Sequence, residues 1–471
     1  MLFNTIDFVI FLPIVVVFYY VIPGKFRWIF LLIASYYFYM SWNVQYIYLI
    51  LFSTIVDYLV GLRMGNLSSK KAKLPWLIIS ITMNLGLLFT FKYLDFATEN
   101  LNIIFNQIGI NKQLPIFHLL LPVGISFYTF QTLSYAVDIY NNRIKPEKHF
   151  GYFALYVSFF PQLVAGPIER FDKLNPQFKQ KTNFTYQNFA NGGRLILYGL
   201  FIKMVVADNI SGFVDSVYLT PQLYHAVDVW KAMIFYSFQI YSDFYGYSLI
   251  AIGSAMLLGI YLMDNFKTPY LAKNIAEFWQ RWHISLSTWF RDYVYFPLGG
   301  NKTTTSFWLR NIIIVFVLSG IWHGANWTFF IWGALYAIIY ILEKIFAKYI
   351  KAKDRVSPFS ITHLLLALKT FVLVTLVWVF FRSPSFSDAL EILKAAFRNW
   401  GVFEKTLTIP LSTTVFFGLF ILSDILLYNN RFDKWIDKKP YVMRWSIYGL
   451  LLFSIIVFAG VENFPFIYFQ F

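Results

Sequence analysis

The chain has 471 residues, of which 58% are hydrophobic and 13% charged, and it contains no cysteine. A soluble domain carries about 25% charged residues, so this composition excludes a protein surrounded by water on all sides. The absence of cysteine excludes disulfides, thiolate catalysis and cysteine-ligated metals. The formal net charge of +15 is typical of basic cytoplasmic loops, and no aromatic–basic groove motif indicates nucleic-acid binding.

Apolar runs recur along the whole chain. They cover residues 8–22, 28–42, 46–62, 74–91, 115–140, 150–164, 195–206, 230–262, 312–342, 364–381, 409–427 and 445–459. A helix needs about 20 residues to cross the hydrocarbon core, and several runs have this length. The pattern predicts an all-α integral membrane protein with about ten to twelve transmembrane or re-entrant helices. No linker or internal repeat is visible, so we expect residues 1–471 to form one polytopic domain.

Four of these runs differ in length from a single span. Residues 150–164 and 195–206 are short, which is typical of re-entrant or partly buried helices. Residues 230–262 and 312–342 are too long for one straight span, so each is predicted to be a broken or a tilted helix.

Lysine and arginine are concentrated in alternate loops. Lys25 and Arg27 follow the first run and a basic cluster at residues 63–73 follows the third, whereas the turn between the second and third runs has no charge. Basic clusters also occur at residues 143–148, 344–355 and 431–439. The positive-inside rule places all of these loops in the cytoplasm and residues 383–408 outside it, so both termini are predicted to be extracytoplasmic.

The stretch that follows residue 264 mixes aromatic and charged side chains. Asn274 is a good N-cap and Glu277 stands three residues later, so a helix is predicted to begin here. Arg281 and Arg291 among tryptophans and tyrosines do not suit a lipid-facing span. They are typical of an interfacial or re-entrant helix that lines a water-filled cavity or packs within the protein.

Two histidines are candidates for chemistry. His323 lies near the middle of a long apolar run and His283 lies in the mixed aromatic stretch. An ionisable side chain at membrane depth costs about 2.5 kcal/mol or more and is kept where it functions or is paired. A buried neutral imidazole can accept a proton from an attacking hydroxyl, and the alternative is a structural histidine hydrogen-bonded within a bundle. Gly320 and Gly324 flank His323 and would let a second helix or an acyl chain approach the backbone.

Three aspartates also lie in apolar runs. Asp57 and Asp138 are expected to form hydrogen bonds between helices, while Asp243 could orient a histidine, pair with an arginine or relay a proton. A zinc site is not predicted, because there is no HExxH motif and no spacing that supplies three ligands. The remaining histidines are near loops or span ends and are predicted to be interfacial: His118, His149, His225 and His363.

Residues 277–300 and 322–329 resemble the membrane-bound O-acyltransferase (MBOAT) family. Further matching stretches are residues 121–131, 160–167, 199–203, 207–209 and 466–471. Their joint occurrence over nearly the whole chain is more specific than any one of them. The chain is similar in particular to the bacterial branch that acetylates alginate and peptidoglycan, and less so to the branch that adds D-alanine to teichoic acid. The resemblance implies one helical bundle with a central tunnel that narrows at the catalytic histidine.

The resemblance also implies a function. Members of this branch take an acyl group from a cytoplasmic thioester, here expected to be acetyl-CoA, and make it available beyond the membrane with no bound cofactor. The expected acceptor is peptidoglycan or an alginate-like exopolysaccharide, reached through a separate extracytoplasmic SGNH-type acetyltransferase. His323 matches the family's catalytic histidine and His283 its second motif histidine. The implied location is the bacterial cytoplasmic (inner) membrane.

The chemistry expected at such a site follows from thioester reactivity. A neutral His323 would remove the proton of the attacking hydroxyl as the new bond forms. The oxyanion could be stabilised by backbone amides, by His283 or by Asn326. Arg281 and Arg291 are candidate helpers that attract the coenzyme A phosphates on the basic cytoplasmic side.

Tyr468 lies among phenylalanines just beyond the last apolar run, on the predicted outside. Its hydroxyl is a candidate acyl relay between the tunnel and the partner protein. The alternative is an aromatic residue of the membrane–water interface.

The sequence leaves two other classes of protein as alternatives. A proton-coupled transporter or flippase would use Asp243, His283 and His323 as a proton relay, but no related halves are visible in the sequence. A scaffold without an active site has no use for two buried histidines, so it ranks last. Within the enzyme class, D-alanyl transfer to teichoic acid remains the alternative to acetyl transfer.

Overall fold

The structure is a computed structural model that describes residues 1–164, 166–349, 356–401, 407–460 and 466–467. These residues form helices and loops, with no β-strand in the described ranges, which confirms the all-α prediction. They divide into two compact units, Met1–Phe189 with Ser254–Met263, and Ala190–Gly253 with Asp264–Phe471. The expectation that residues 1–471 act as one domain remains a prediction.

The first unit is built from short and medium helices. They are α1 (Ile6–Val21), α2 (Arg27–Met40), α3 (Ile47–Gly65), α4 (Lys70–Leu88), α5 (Leu94–Gln107), α6 (Ile125–Tyr140), α7 (Phe150–Ser158), α8 (Phe160–Leu163) and α9 (Phe171–Lys179). A π-helical segment, Phe89–Tyr93, joins α4 to α5. The short run at residues 150–164 forms α7 and α8, whose described side chains are almost all buried, as predicted for partly buried helices.

A polar network joins α3, α4 and α6. Ser80 Oγ donates to Asp57 Oδ1 at 2.5 Å, and Asn84 Nδ2 donates to Asp57 Oδ2 at 2.7 Å. Thr132 Oγ1 donates to Asn84 Oδ1 at 2.9 Å, which extends the network to α6. Asp57 therefore forms the predicted hydrogen bonds between helices. Asp138 forms an ion pair with Arg143 just beyond the end of its own helix, and its predicted hydrogen bond between helices stays a prediction.

The second unit carries the longer helices. They are α10 (Tyr186–Leu200), α11 (Asp208–Leu219), α12 (Ala226–Leu257), α13 (Ile275–Arg281), α14 (Ile284–Phe290), α15 (Thr305–His323), α16 (Trp327–Tyr349), α17 (Ile361–Arg382), α18 (Phe386–Arg398), α19 (Leu411–Leu426), α20 (Phe432–Asp437) and α21 (Tyr441–Phe458). π-helical segments at Phe201–Ala207 and Arg291–Tyr295 follow α10 and α14.

Seven helices in the described ranges are long and apolar enough to cross a membrane. They are Val44–Gly65, Lys70–Gln107, Tyr186–Leu219, Thr305–His323, Trp327–Ala347, Ile361–Arg382 and Tyr441–Phe458, and two shorter apolar helices are Ile6–Val21 and Leu411–Leu426. Large hydrophobic side chains exposed on these helices, such as Ile78, Ile338 and Ile456, are suited to contact with lipid. The chain is therefore a multi-pass membrane protein.

The two longest apolar runs behave differently. Residues 312–342 are broken, because α15 ends at His323 and α16 begins at Trp327 after an extended Gly324. Residues 230–262 are covered as far as Leu257 by one continuous helix, α12, of 32 residues. A helix of that length can cross the hydrocarbon core only when it is tilted or extends beyond it.

Glycine allows two pairs of helices in the second unit to pack closely. On α15 and α16, a Cβ at Gly320 would come within 3.3 Å of Gly333 Cα and would also meet the Phe329 carbonyl oxygen. On α10 and α12, a Cβ at Gly199 would lie 2.7 Å from Gly246 O. Such small-residue contacts let helix backbones touch within a membrane. The first pair places the end of α15, and therefore His323, against α16.

Candidate active site

His283 lies in a turn between α13 and α14. Asn274 caps α13 by accepting a hydrogen bond from Glu277 N at 2.8 Å, as the sequence predicts, and α13 ends at Arg281. His283 then adopts a left-handed conformation with φ 43° and ψ 54°, which reverses the chain before α14. Histidine is one of the non-glycine residues that tolerate this conformation. The turn directs the imidazole into the protein, where it is fully buried.

Asn265 fixes the tautomer of His283. Its Oδ1 lies 3.2 Å from His283 Nδ1, and it accepts hydrogen bonds from Ser285 N at 3.2 Å and Ser285 Oγ at 2.9 Å. A backbone N–H can only donate, so this atom of Asn265 is an oxygen and His283 Nδ1 carries the proton. Burial lowers the pKa of His283 to about 3, which keeps the ring neutral. The lone pair is therefore on Nε2, the nitrogen that can accept a proton.

His323 is the last residue of α15 and is 3% exposed. Its ring is enclosed by aromatic side chains, with centroid distances of 4.9 Å to Trp322, 5.1 Å to Trp332 and 5.2 Å to Phe381. The contacts with Trp332 and Phe381 are edge-on, at 85° and 70°. The His323 imidazole therefore lies in an apolar, aromatic environment.

Trp322 brings the two histidines into one site. Its indole lies 6.2 Å from the His283 ring and 4.9 Å from the His323 ring, centroid to centroid. The sequence separates the histidines by two helices, and the structure places both against one side chain. The catalytic roles expected for the two histidines remain predictions.

A buried indole N–H lies next to His323. Trp332 is fully buried, and its Nε1 has no hydrogen-bond partner among the described residues. Trp279, whose ring centroid is 5.8 Å from that of Trp332, also has an Nε1 without a partner in those ranges. Buried donors are normally satisfied, so an unused indole N–H beside an imidazole marks a place where an acceptor can bind.

A polar cavity of about 220 Å³ begins at Asn265. Its walls carry the basic side chains of Lys267, Arg431 and Lys434. Arg431 is held by Asp433 and Asp264, whose hydrogen bonds raise the pKa of the guanidinium although burial opposes this. Lys267 and Lys434 are exposed. The cavity therefore has basic side chains, together with the Asp264 carboxylate, next to Asn265, which contacts His283.

The two arginines predicted as helpers have different surroundings. Arg281 bonds to Glu277, to Asn429 Oδ1 at 2.8 Å and to Tyr428 OH at 3.1 Å, so most of its donors are used within the protein. Arg291 is about half exposed, forms an ion pair with Asp292 and lines a second cavity of about 380 Å³ with Trp279. Neither arginine lines the 220 Å³ cavity beside Asn265.

Asn326 acts locally at the turn between α15 and α16. Its Nδ2 donates to Pro384 O at 2.7 Å, and its Oδ1 accepts from Thr328 N at 3.0 Å. Both ends of the amide are therefore engaged in holding the start of α16. Its predicted part in stabilising an oxyanion remains a prediction.

Asp243 pairs with a lysine that the sequence did not single out for it. Lys203 Nζ lies 2.8 Å from Asp243 Oδ1 and 2.6 Å from Asp208 Oδ1. Asp243 Oδ2 accepts a hydrogen bond from Ile467 N at 2.6 Å. Tyr468, the candidate acyl relay, lies outside the described residues.

The site combines two buried imidazoles in one aromatic cluster with an adjoining cavity that carries basic side chains. Its class is that of an integral membrane protein with a buried histidine site, because seven described helices are long and apolar enough to cross a membrane. The family is given by sequence comparison. Residues 146–381 match the model of MBOAT, the membrane-bound O-acyltransferase family. The chain belongs to this family, and it is an O-acyltransferase.

Named relatives cover most of the chain. A peptidoglycan O-acetyltransferase of Helicobacter pylori is 38% identical over 84% of this chain and 79% of its own length. A probable alginate O-acetylase, AlgI, of Pseudomonas putida is 34% identical over 98% of both chains. A teichoic acid D-alanyltransferase of Bacillus subtilis is more distant, at 28% identity over 49% of this chain and 60% of its own length.

Sequence reasoning did not find three residues of this site. Trp322 begins the family-like stretch 322–329 but was given no role there, and Asn265 and Trp332 lie outside the matched stretches. Trp322 and Trp332 lie one and nine positions from His323, so aromatic enrichment around a buried histidine is the available signal. Nothing in the sequence connects Asn265 with His283, because their contact depends on the left-handed turn.

Proposed function

We propose that this chain transfers an acetyl group from a cytoplasmic thioester donor, acetyl-CoA, across the membrane for O-acetylation of an extracytoplasmic polysaccharide. The observation that carries the proposal is the pair of buried imidazoles that share the Trp322 indole, in a chain of the O-acyltransferase family. A neutral imidazole at membrane depth supplies the base that thioester attack requires. The proposed location is the bacterial cytoplasmic membrane, with both termini outside the cytoplasm.

The cationic cavity at Asn265 is the proposed entrance for the donor. Coenzyme A carries several phosphate charges, and Lys267, Arg431 and Lys434 form a cluster of positive charge at this cavity. Residues 431–439 are predicted to be cytoplasmic, which is the side where the donor is found. From this entrance the thioester would extend past Asn265 towards the two histidines.

The proposed reaction is an acyl transfer with His323 as the base. An acceptor hydroxyl attacks the thioester carbonyl carbon while His323 takes its proton, and a tetrahedral oxyanion forms. Collapse of this intermediate breaks the C–S bond, and the proton passes from His323 to the thiolate sulfur. His283, held as the Nδ1–H tautomer by Asn265, orients the reacting group through Nε2.

Trp332 is our candidate for stabilising the oxyanion. Its indole N–H is buried beside His323, which is where charge develops. Trp332→Phe keeps an aromatic ring and removes only the donor. We expect it to lower kcat by about 10²-fold with little change in KM, as when one oxyanion donor is lost. An unchanged kcat would exclude this role for Trp332.

The outer half of the reaction needs a partner. A separate extracytoplasmic acetyltransferase of the SGNH type would pass the acetyl group to the glycan, and Tyr468 would carry it between the two proteins as an ester. The alternative for Tyr468 is an anchor at the membrane interface. The substitution Tyr468→Phe separates these roles, because an anchor tolerates loss of the hydroxyl and a carrier does not.

Peptidoglycan and an alginate-like exopolysaccharide are the proposed acceptors. The relatives that match more than four fifths of this chain are named as acetylating enzymes for these two polymers. The teichoic acid D-alanyltransferases match less than half of it, so D-alanyl transfer is the weaker proposal.

The test is complementation of cells that lack this gene. Wild type, His323→Ala, His283→Ala and the control His118→Ala are compared by mass spectrometry of peptidoglycan and secreted glycan. Loss of a general base lowers rates by about 10²-fold or more, so both site variants are expected to abolish acetylation. His118 is exposed on a loop and its variant is expected to acetylate normally. Normal acetylation by His323→Ala would refute the proposal.

A further inference from the structure

A buried ionic cluster lies apart from the two histidines. Lys203 is paired with Asp208 and Asp243, and the three side chains are at most 10% exposed. Charges buried in a membrane protein are costly unless they are paired, and they are usually kept for a function. The mechanism above uses none of the three, so their role needs a separate explanation.

Close packing of α10 on α12 brings the cluster together. Gly199 faces Gly246, and Gly192 faces Gly253 one heptad away, with added Cβ atoms 2.6 to 2.7 Å from the opposing carbonyl oxygens. The π-helical segment Phe201–Ala207 follows α10 and carries Lys203. With the backbones in contact at these glycines, Lys203 reaches Asp243 on α12.

The carboxylate oxygen of Asp243 that does not face Lys203 contacts residues 466–467, which we call the C-terminal segment. Asp243 Oδ2 accepts the Ile467 N–H at 2.6 Å, while its other oxygen faces Lys203. Phe466 is fully buried and stacks on Tyr247, one turn along α12, with ring centroids 4.6 Å apart. Ile467 is 4% exposed. The segment is therefore docked both by a charged hydrogen bond and by aromatic packing.

The Phe244 ring connects the C-terminal segment with His283. Phe466 lies 5.4 Å from Phe244, and Phe244 lies 4.7 Å edge-on from His283, centroid to centroid. Phe244 directly follows Asp243 in α12. The residue that holds the segment and the residue that connects it with His283 are thus neighbours on one helix.

We infer that Lys203, Asp208 and Asp243 form an ionic clamp that positions Phe466 and Ile467, with the Phe244 ring between Phe466 and His283. Lys203 orients the Asp243 carboxylate so that one oxygen points at the Ile467 N–H, and Asp208 holds the other side of the ammonium group. These are positioning residues and do not contact the reacting atoms. The link to catalysis rests on the proposed function, in which Tyr468, the residue after Ile467 in the sequence, carries the acyl group. The clamp itself does not depend on that function.

Cysteine labelling tests the clamp without any acyl transfer. The chain has no cysteine, so Ile467→Cys introduces a single thiol at a buried position. We expect this thiol to react slowly with a maleimide in an otherwise native chain, and about ten-fold or more faster when Asp243→Ala is added, because labelling follows the open population. The control is Asp424→Ala, a buried carboxylate of the same unit that accepts from Tyr241 and not from the C-terminal segment. Equal labelling with and without Asp243 would overturn the clamp.

A second pair of variants leaves the ionic cluster whole. Ile467→Pro removes the donated N–H, whereas Ile467→Ala keeps it and shortens the side chain. We expect acetylation by the proline variant to be about ten-fold or more below that of the alanine variant, with the same KM for acetyl-CoA, because only positioning is lost. Equal turnover would overturn the link between clamp and catalysis. If His323→Ala were fully active and Asp243→Ala still exposed the thiol, the clamp would stand and the proposed function would fall.

Discussion

The contact between α15 and α16 offers a sharp test of how the site is held. At Gly333 an added Cβ would lie 3.0 Å from the Phe316 carbonyl carbon and 3.2 Å from Val317 Cα, and both of these are backbone atoms that cannot rotate away. Carbon atoms pack at about 3.5–4.0 Å, so Gly333→Ala must push the two helices apart by roughly 0.5–1 Å. Overpacking of this kind lowers the free energy of unfolding by about 1–3 kcal/mol. The higher helix propensity of alanine offsets up to about 1 kcal/mol of this loss.

The effect on activity should exceed the effect on stability. Trp332 precedes Gly333 on α16 and touches His323 at the end of α15, so separating the helices changes the surroundings of the proposed base. A misplacement of about 1 Å can lower turnover by about 10²-fold. We expect Gly333→Ala to unfold at a somewhat lower temperature in detergent and to transfer acetyl groups about 10²-fold more slowly.

The matched control is Gly418→Ala in α19. No atom other than those of its own helix lies within 4 Å of a Cβ at Gly418, so alanine should leave activity unchanged and add up to about 1 kcal/mol of stability. Thermal unfolding in micelles and acetyl transfer in vesicles measure the two quantities for both variants. The reasoning fails if Gly333→Ala behaves like wild type, or if both variants lose activity equally.

Three further predictions concern the histidine site, the cavity next to Asn265 and a buried carboxyl group of the first unit. Asn265→Ala removes the hydrogen-bond partner that fixes the tautomer of His283, so it should lower kcat by about 10–100-fold. Ser285→Ala keeps that partner, so it should lose less than about 1.5 kcal/mol of stability and little activity. Equal kinetics for the two variants would exclude this role for Asn265. Lys267→Ala with Lys434→Ala should raise the KM for acetyl-CoA about ten-fold at low salt with kcat unchanged, and the difference should shrink at high salt if the lysines act by charge. Burial raises the pKa of Glu169 from 4.5 to about 7, so its contribution to stability is complete below pH 4.5 and is lost as the pH rises towards 7. Between pH 4.5 and 7 the free energy of unfolding of the wild type should therefore fall by about 3 kcal/mol more than that of Glu169→Gln. An equal fall for the two proteins over this pH range would contradict the prediction.

Features that follow from local sequence were predictable. The apolar runs predict helices because lipid leaves the backbone no other partner than itself. The excess length of residues 312–342 predicted a broken or a tilted helix, and the structure shows the break, after His323. Asn274 was predicted to be a cap because capping depends on residues three positions apart.

Features that depend on distant contacts were not predictable. The ion pair of Asp138 with Arg143 was not predicted, because it forms where the chain leaves the end of its helix. Asp243 could not be given a partner, because Lys203 reaches it only where glycines on α10 and α12 meet. Asn265 and His283 were not connected for the same reason: a single left-handed residue, and no periodic pattern, brings them together.

That left-handed turn has a consequence for heat tolerance. At φ 43° a residue with a side chain is strained by about 1 kcal/mol or more, and only the surrounding contacts keep His283 there. Warming that loosens those contacts would let this one residue relax to an ordinary conformation while the long helices remain intact. The protein should therefore lose its activity at a temperature below its thermal unfolding temperature.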